Sequence, residues 1–209
     1  MLHGGWQSAR TWDPLCAALH DRHRVLALDQ RGHGETEWAG DYAPDRWIED
    51  VMGFVQALAL PRVTLLGFSL GGTFAFLTAA RHPAIVERLA IVDHGPDVVD
   101  LLRPRFAPGR TLPPPVGTDP ALRFPDFLDV VPPQTSQWEL LPRIACPTLL
   151  VRAERSDRFP RETAERMAQT IPDCRLVEIT GSGHNVLREK PEELIAAVRA
   201  FLMTPVDTL

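Results

Sequence analysis

The stretch from Val63 to Arg81, VTLLGFSLGGTFAFLTAAR, constrains the fold of this chain more than any other part of it. Its first residues, Val63 to Leu66, form a short apolar run typical of a buried strand. Its last residues, Gly72 to Arg81, are small or apolar and favour a buried helix. Only GFSLG separates the two segments, so the stretch predicts a strand, a tight turn and a helix, with Ser69 at the tip.

The GxSxG spacing around Ser69 is that of a nucleophile elbow. Gly67 and Gly71 lack Cβ atoms, which lets the strand and helix approach closely enough to hold the serine in a strained, exposed turn. The helix start also points free backbone N–H groups at any anion that forms there. The alternative is a glycine-rich turn whose serine caps a helix. The flanking strand and helix favour the catalytic interpretation.

Charge and hydropathy limit the partners of the chain. Its 209 residues carry a formal net charge of -5 without a block of like charges. This argues against nucleic acid or an acidic membrane surface and predicts a small-molecule substrate. No apolar run approaches the roughly 20 residues that a membrane-spanning helix needs.

The three cysteines, Cys16, Cys146 and Cys174, are far apart and include no CxxC pair. They suggest neither a zinc site nor a disulfide framework, and a reducing cytoplasm fits them best. The sequence therefore predicts a cytoplasmic protein without a metal.

Apolar strands and amphipathic helices alternate along most of the chain. This order predicts an α/β fold with a mostly parallel sheet and helices on both faces. Residues 97–142 interrupt it with a proline-rich segment, and prolines disfavour both ladders and helix interiors. We expect a core formed by residues 1–96 and 143–209, and a short lid formed by residues 97–142; a flexible surface loop is the alternative for that segment. The further strands predicted are Val25–Leu28, Leu89–Val92, Thr148–Val151 and Arg175–Ile179, and the further helices Thr11–Leu19, Trp47–Leu60, Arg161–Ile171 and Pro191–Leu202.

A serine nucleophile needs a base, and the base needs an acid that orients it. His184 is the best candidate for the base, because it follows a strand in a loop of small residues. Asp157 is predicted to be the acid, since it lies in the loop after Thr148–Val151. Asp93 is the alternative acid, although its DHGP setting is typical of a turn residue. Glu154 ranks third.

An oxyanion hole completes the predicted site. The N–H of Leu70, directly after the serine, is one expected donor. The N–H of Gly5, in the loop His3-Gly4-Gly5-Trp6, is the other. Trp6 and Phe68 are predicted to line the substrate pocket.

The motifs GFSLGG, HGGW, DQRGHGETEW, RSD and GSGH together resemble those of the α/β-hydrolase superfamily, in its serine-nucleophile, esterase-like branch. The resemblance implies an acyl-enzyme mechanism without metal or cofactor and a lid at the position of the proline-rich segment. The family has two strands and most of a third before its HG loop. The fold is therefore expected to be N-terminally truncated, with Gly5 lacking an anchored strand.

The sequence thus predicts a serine hydrolase of a small, largely apolar carboxylic ester or lactone, as a monomer or homodimer. One alternative is hydrolysis of a carbon–carbon bond in a diketone-like compound, which the same three side chains can perform. The other alternative is a catalytically inactive, truncated ligand-binding relative.

Overall fold

A parallel four-stranded sheet is the centre of the computed structural model, which describes residues 1–37, 43–97 and 136–205. The spatial order of the strands is the same as their order in the chain. Each carboxyl end therefore lies at the same edge of the sheet. The strands are β1 (Val63–Phe68), β2 (Val86–Val92), β3 (Thr148–Ala153) and β4 (Cys174–Ile179).

Helices cover the sheet and connect its strands. A 3₁₀ turn at Ala9–Trp12 leads directly into the first helix. The α-helices are α1 (Asp13–Leu19), α2 (Pro44–Ala57), α3 (Leu70–Arg81), α4 (Arg161–Thr170), α5 (Val186–Glu189) and α6 (Pro191–Met203). A second 3₁₀ helix, Trp138–Arg143, precedes β3.

The strands bury both faces, because successive side chains point to opposite sides of a sheet. Leu65 packs in a core with side chains of α2, α3 and α4. Its neighbour Leu66 packs in a second core with side chains of α1, α5 and α6. The predicted α/β fold with helices on both faces of a parallel sheet is therefore confirmed.

Several predicted elements differ from the observed ones by a few residues, and a helix and a strand show the clearest differences. Helix α2 begins at Pro44 rather than Trp47, because a proline at the first helical position has a favourable fixed φ and no N–H to leave unpaired. It ends at Ala57, just before Ala59 takes a left-handed φ of 49°. Of the predicted strand Val25–Leu28, only Leu28 forms a bridge, with Leu2.

Most of the predicted lid, residues 98–135, lies outside the described residues. The flanking segments are described, and the Trp138 indole N–H donates to the Asp97 carboxylate. Leu141, which was assigned to the lid, is fully buried in the core beside α3. Leu141 thus packs in the core, with Trp138 and Leu140 partly buried against it, whereas a lid in the rest of the segment stays a prediction. Within the described residues, no helix is long and apolar enough to cross a bilayer.

Candidate active site

Ser69 occupies a strained turn between β1 and α3. Its φ of 50° and ψ of -119° lie far from helical or strand values. Such a conformation is uncommon for a residue with a side chain and persists only where the surroundings enforce it. The N–H of Ser69 donates to the carbonyl of Val92 on the neighbouring strand at 3.1 Å. The predicted strand, turn and helix are therefore all present.

Two glycines make this turn possible. A Cβ at Gly67 would lie 2.2 Å from the carbonyl oxygen of Gly71. A Cβ at Gly71 would lie 2.2 Å from the carbonyl oxygen of Leu2. Both neighbours are backbone atoms, so any larger residue would push the strand, the helix or the N-terminal loop apart.

His184 lies beside the serine. Its Nε2 is 3.0 Å from Ser69 Oγ, within hydrogen-bond distance, and its side chain is 16% exposed. It follows β4 in the loop Gly181-Ser182-Gly183, and Gly181 has a φ of 74°. The structure thus brings together the predicted nucleophile and the predicted base.

Asp93, not Asp157, contacts the histidine. The Oδ2 atom of Asp93 is 2.7 Å from His184 Nδ1, and the carboxylate is fully buried. Both ring nitrogens of His184 are therefore occupied, one by Ser69 and one by Asp93. The Asp157 side chain is 60% exposed, with its carboxylate 4.0 Å from Arg158 Nε. The prediction that Asp157 holds His184 is wrong, and the alternative, Asp93, has the required position.

The register of the sheet explains why Asp93 is in place. Phe68 of β1 pairs with Val92 of β2, so the residues that follow them, Ser69 and Asp93, emerge side by side at the carboxyl edge. Asp93 also has a φ of 50°, which turns its side chain off the strand direction. Asp157 lies four positions beyond the end of β3, on an exposed loop.

Three donors contact the Asp93 carboxylate, and the backbone N–H of Asp93 makes a further hydrogen bond. The N–H of Ala153 donates to Oδ1 at 2.8 Å, and the Ser156 hydroxyl donates to Oδ2 at 2.5 Å. His184 supplies the third side-chain contact. The backbone N–H of Asp93 donates to the carbonyl of Val151 at 2.7 Å. A buried carboxylate needs such partners, and these hydrogen bonds fix its position.

The loop His3-Gly4-Gly5-Trp6 is firmly attached to β1. The N–H of Leu2 donates to the Leu66 carbonyl at 2.8 Å, and the N–H of Phe68 donates to the Leu2 carbonyl at 3.0 Å. The N–H of Gly71 donates to the His3 carbonyl at 3.1 Å. Leu2 forms isolated bridges and not a strand, so these hydrogen bonds attach the loop to β1 although no strand within the described residues precedes it.

A buried histidine, His3, also holds this loop in place. The N–H of Gln30 donates to His3 Nε2 at 3.1 Å, and the Gln30 side-chain amide donates to the His3 carbonyl at 2.6 Å. Burial, with a smaller contribution from the nearby His33, lowers the pKa of His3 to about 3. His3 is thus a neutral hydrogen-bonding group near pH 7 that holds the loop.

The two predicted oxyanion donors lie close together. A Cβ built on Gly5 would lie 3.8 Å from Leu70 Cδ2, which is ordinary contact distance. Leu70 is the first residue of α3, where backbone N–H groups have no partner within the helix. The two residues are therefore neighbours, while their role in binding an oxyanion stays a prediction.

The predicted pocket residues differ in position. Trp6 is half-buried with a φ of 58°. Phe68 is 2% exposed, and its ring centroid is 5.0 Å from that of His184. A Cβ on Gly4 would lie 2.9 Å from this ring. Phe68 therefore packs beneath His184 and offers little surface to a substrate, so its assignment to the pocket needs correction.

His94 is a buried group that the sequence did not single out. Its Nε2 is 2.6 Å from the Thr73 hydroxyl of α3. Burial, with a smaller contribution from His184, lowers its pKa to about 3. A neutral His94 ties the residue after Asp93 to the helix after Ser69. Its position directly behind an apolar strand was the signal available in the sequence.

The arrangement can transfer a proton from a hydroxyl to an imidazole. Ser69 Oγ can donate to His184 Nε2, and His184 Nδ1–H then donates to Asp93. This is the geometry of an activated serine nucleophile. Within the described parts of the chain, no group of three or more His, Cys, Asp or Glu side chains could hold a metal ion.

Comparison with known proteins gives the family. The sequence model of the "Alpha/beta hydrolase family" matches residues 1–197. The chain is 26% identical to 2-(acetamidomethylene)succinate hydrolase of Mesorhizobium japonicum, over 96% of this chain and 86% of that protein. It is 37% identical to an esterase of Mycobacterium tuberculosis over 47% of this chain and 33% of the relative.

A solved structure agrees with these matches. A hydrolase from Pseudomonas aeruginosa superposes with a TM-score of 0.79 at 25% identity, covering 97% of this chain and 88% of that one. The chain belongs to the α/β hydrolase family. It is an enzyme of the hydrolase class.

Proposed function

We propose that the protein is a serine hydrolase that cleaves a small, largely apolar carboxylic ester or lactone through an acyl-enzyme. The observation that carries the proposal is the continuous chain of hydrogen-bond contacts from Ser69 through His184 to Asp93, at 3.0 and 2.7 Å. A serine, a histidine and a buried carboxylate in this order form the catalytic triad of acyl-transfer enzymes.

In the first half of the proposed reaction, Ser69 Oγ attacks the substrate carbonyl carbon while His184 Nε2 accepts the hydroxyl proton. Asp93 stabilises the resulting imidazolium and fixes its orientation through Nδ1. The charge that develops on the carbonyl oxygen is stabilised by the backbone N–H groups of Leu70 and Gly5. His184 then donates its proton to the leaving alcohol oxygen, which leaves an ester of Ser69.

In the second half, His184 accepts a proton from water, and the water oxygen attacks the ester of Ser69. Collapse of this second intermediate releases the carboxylic acid and returns the proton to Ser69. For a lactone the leaving alcohol stays attached to the acid, so one product is released instead of two. The Mycobacterium tuberculosis relative, named as an esterase, supports the ester as the substrate class.

The substrate is proposed to be small and without a large negative charge. The chain carries a net charge of -5, which disfavours polyanions. The neutral state of His3 and His94 near pH 7 also leaves no cation from these two groups beside the site. An apolar acyl group suits such surroundings.

Hydrolysis of p-nitrophenyl acetate and butyrate tests the proposal. The wild type is expected to release p-nitrophenol, and Ser69→Ala is expected to lose on the order of 10⁶-fold in kcat. Ser136→Ala is the matched control, since Ser136 is exposed. Ester hydrolysis that persists in Ser69→Ala would remove the serine from the mechanism.

Two further experiments distinguish the proposed function from the two other predicted functions. Turnover of a diketone-like ring-cleavage compound without any ester hydrolysis would replace the proposal with carbon–carbon bond hydrolysis by the same side chains. The inactive ligand-binding alternative predicts no reaction of Ser69 with a fluorophosphonate probe. The assembled contacts of Ser69, His184 and Asp93 favour catalysis over this alternative.

A further inference from the structure

The loop after β3 does not supply the proposed acid of the site. It instead contacts that acid, Asp93, which lies in the loop after β2. Ser156 Oγ lies 2.5 Å from Asp93 Oδ2, the same oxygen that faces His184 Nδ1. The serine belongs to residues 154–159, whereas Asp93 directly follows β2. A single carboxylate oxygen thus accepts hydrogen bonds from two different loops.

The proton of the Ser156 hydroxyl has only one suitable direction. Its oxygen accepts hydrogen bonds from the backbone N–H groups of Arg158 at 3.2 Å and Phe159 at 3.3 Å. A hydroxyl has one proton to donate and two acceptor sites. Because both acceptor sites are used by these amides, the proton points to Asp93. The hydroxyl therefore donates to Asp93 Oδ2 and holds that oxygen in place.

The loop that carries Ser156 is held on the side of Asp93. Phe159 is fully buried, and Arg152 Nε donates to its carbonyl at 3.0 Å. A Cβ on Gly95, two residues after Asp93, would lie 3.0 Å from the Phe159 ring. The ring therefore rests directly against the backbone that follows the acid.

The same loop is also bonded to the segment that carries the histidine. The N–H of Arg155 donates to the Ser182 carbonyl at 2.8 Å, and the N–H of Gly181 donates to a Glu154 carboxylate oxygen at 2.6 Å. Residues 154–159 thus join the acid loop to the base loop. Among these hydrogen bonds, the one from the Ser156 hydroxyl is made to the Asp93 carboxylate.

We propose that Ser156 is a positioning residue that fixes the Asp93 carboxylate so that Oδ2 faces His184 Nδ1. The inference rests on the proposed triad. Without the hydroxyl, the Ala153 N–H holds Oδ1 alone, and the carboxylate can rotate about its Cβ–Cγ bond away from the histidine. The serine does not touch the substrate, so its effect falls on kcat and not on KM.

Steady-state kinetics of Ser156 variants on a p-nitrophenyl ester test this. Ser156→Ala is expected to lower kcat by about 10- to 100-fold, the range for losing a hydrogen bond to a charged group, with KM within about twofold. Ser156→Thr keeps the hydroxyl and is expected to retain kcat within about threefold, and Ser156 is half-buried, which leaves room for a methyl. Asp157→Asn, the adjacent exposed position, is the matched control.

Ser156→Cys keeps the shape of the side chain but donates weakly. It therefore tests the positioning role even in the case that the alanine variant does not fold. Its kcat is expected to fall by as much as that of the alanine variant. The far-downfield proton resonance of the His184–Asp93 hydrogen bond is expected to move or broaden in the cysteine variant and to persist in the threonine variant. A cysteine or alanine variant that keeps kcat while only its melting temperature falls would overturn the inference.

The inference and the proposed function fail in different ways. Ser69→Ala measured alongside reports on the proposed function. If Ser69→Ala is inactive and Ser156→Ala retains full kcat, the triad stands and the positioning role is wrong. If both the wild type and Ser69→Ala fail to hydrolyse any ester, the rate of fluorophosphonate labelling at Ser69 replaces kcat, and an unchanged rate in Ser156→Cys overturns the inference.

Discussion

The loop after β2 and the loop after β3 each carry an aspartate close to the end of a buried strand, but only one of them faces the site. Asp93 directly follows β2, is fully buried and lies 2.7 Å from His184 Nδ1. Asp157 lies four positions past β3 with 60% of its side chain exposed. The difference shows that following a buried strand is not enough to place a carboxylate in the site, because the two loops direct their aspartates differently.

The largest expected effect separates the two carboxylates directly. Asp93→Asn is expected to lower kcat by about 10⁴-fold, because the amide cannot stabilise the imidazolium and favours the wrong tautomer of His184. Asp157→Asn is expected to change kcat by no more than about threefold. Steady-state ester hydrolysis measures both. Equal losses in the two variants would mean that both loops supply the charge.

The second prediction concerns two buried histidines, His94 in the loop after β2 and His3 in the N-terminal loop. His94 and His3 stay neutral in the fold to about pH 3, whereas in the unfolded chain they are protonated below about pH 6.5. The unfolded state therefore binds more protons, and stability is lost as the pH falls. From pH 7 to pH 5 the two groups lower the free energy of unfolding by about 4 kcal/mol together.

Urea unfolding at pH 7 and pH 5 measures this loss. His94→Gln is expected to remove about half of it, while His23→Gln, at an exposed histidine, leaves it unchanged. A wild type whose unfolding free energy is the same at both pH values would show that these histidines titrate normally in the fold.

A third prediction addresses the contact between the two loops. In Gly95→Ala the new methyl would meet the Phe159 ring at 3.0 Å, so the ring or the backbone after Asp93 must shift. We expect a loss of about 1–2 kcal/mol in the free energy of unfolding, from urea titration. We also expect a lower kcat, since the shift moves Asp93 relative to Ser156. An alanine variant as stable and as active as the wild type would show that this contact adapts freely.

The smallest expected effect comes from a glycine outside both loops. Gly53 lies within α2, and a Cβ there would meet no atom within 4 Å. Gly53→Ala should raise the free energy of unfolding by about 0.5–1 kcal/mol, because glycine loses more backbone freedom in a helix than alanine does. Its kcat should not change. This variant is the control for the substitution at Gly95, and destabilisation here would point to a contact of α2 beyond the described residues.

The sequence predicted the fold because its signals are local. The apolar run at Val63 matches a strand, and the small residues after Gly72 match a helix. The GxSxG spacing between them is typical of a tight strand-to-helix turn. Four of the five predicted strands are observed, each ending within two residues of its predicted end, whereas the predicted strand Val25–Leu28 forms only a bridge at Leu28. The register of β1 and β2, which places Ser69 beside Asp93, depends on pairing across the sheet and is not visible in either segment alone.

The site was predicted in part for the same reason. Ser69 and His184 were predicted from their loops, and the structure brings Ser69 Oγ and His184 Nε2 to 3.0 Å, while their catalytic roles stay a proposal. The acid was misplaced because two aspartates followed strands, and their residue types do not show which is buried. Asp93 was interpreted as a turn residue that bonds its own backbone, whereas its side chain accepts from Ala153 and Ser156, about 60 positions later. Contacts at such a separation leave no local pattern.

The central claim is that Ser69 is activated by His184 and that Asp93, not Asp157, holds the histidine. The rate of covalent labelling by a fluorophosphonate, with the modified peptide identified by mass spectrometry, tests all three parts without a known substrate. The account predicts labelling of Ser69 in the wild type, an equal rate in Asp157→Asn and a large decrease in Asp93→Asn. Labelling at another residue, or a decrease in Asp157→Asn with none in Asp93→Asn, would contradict it.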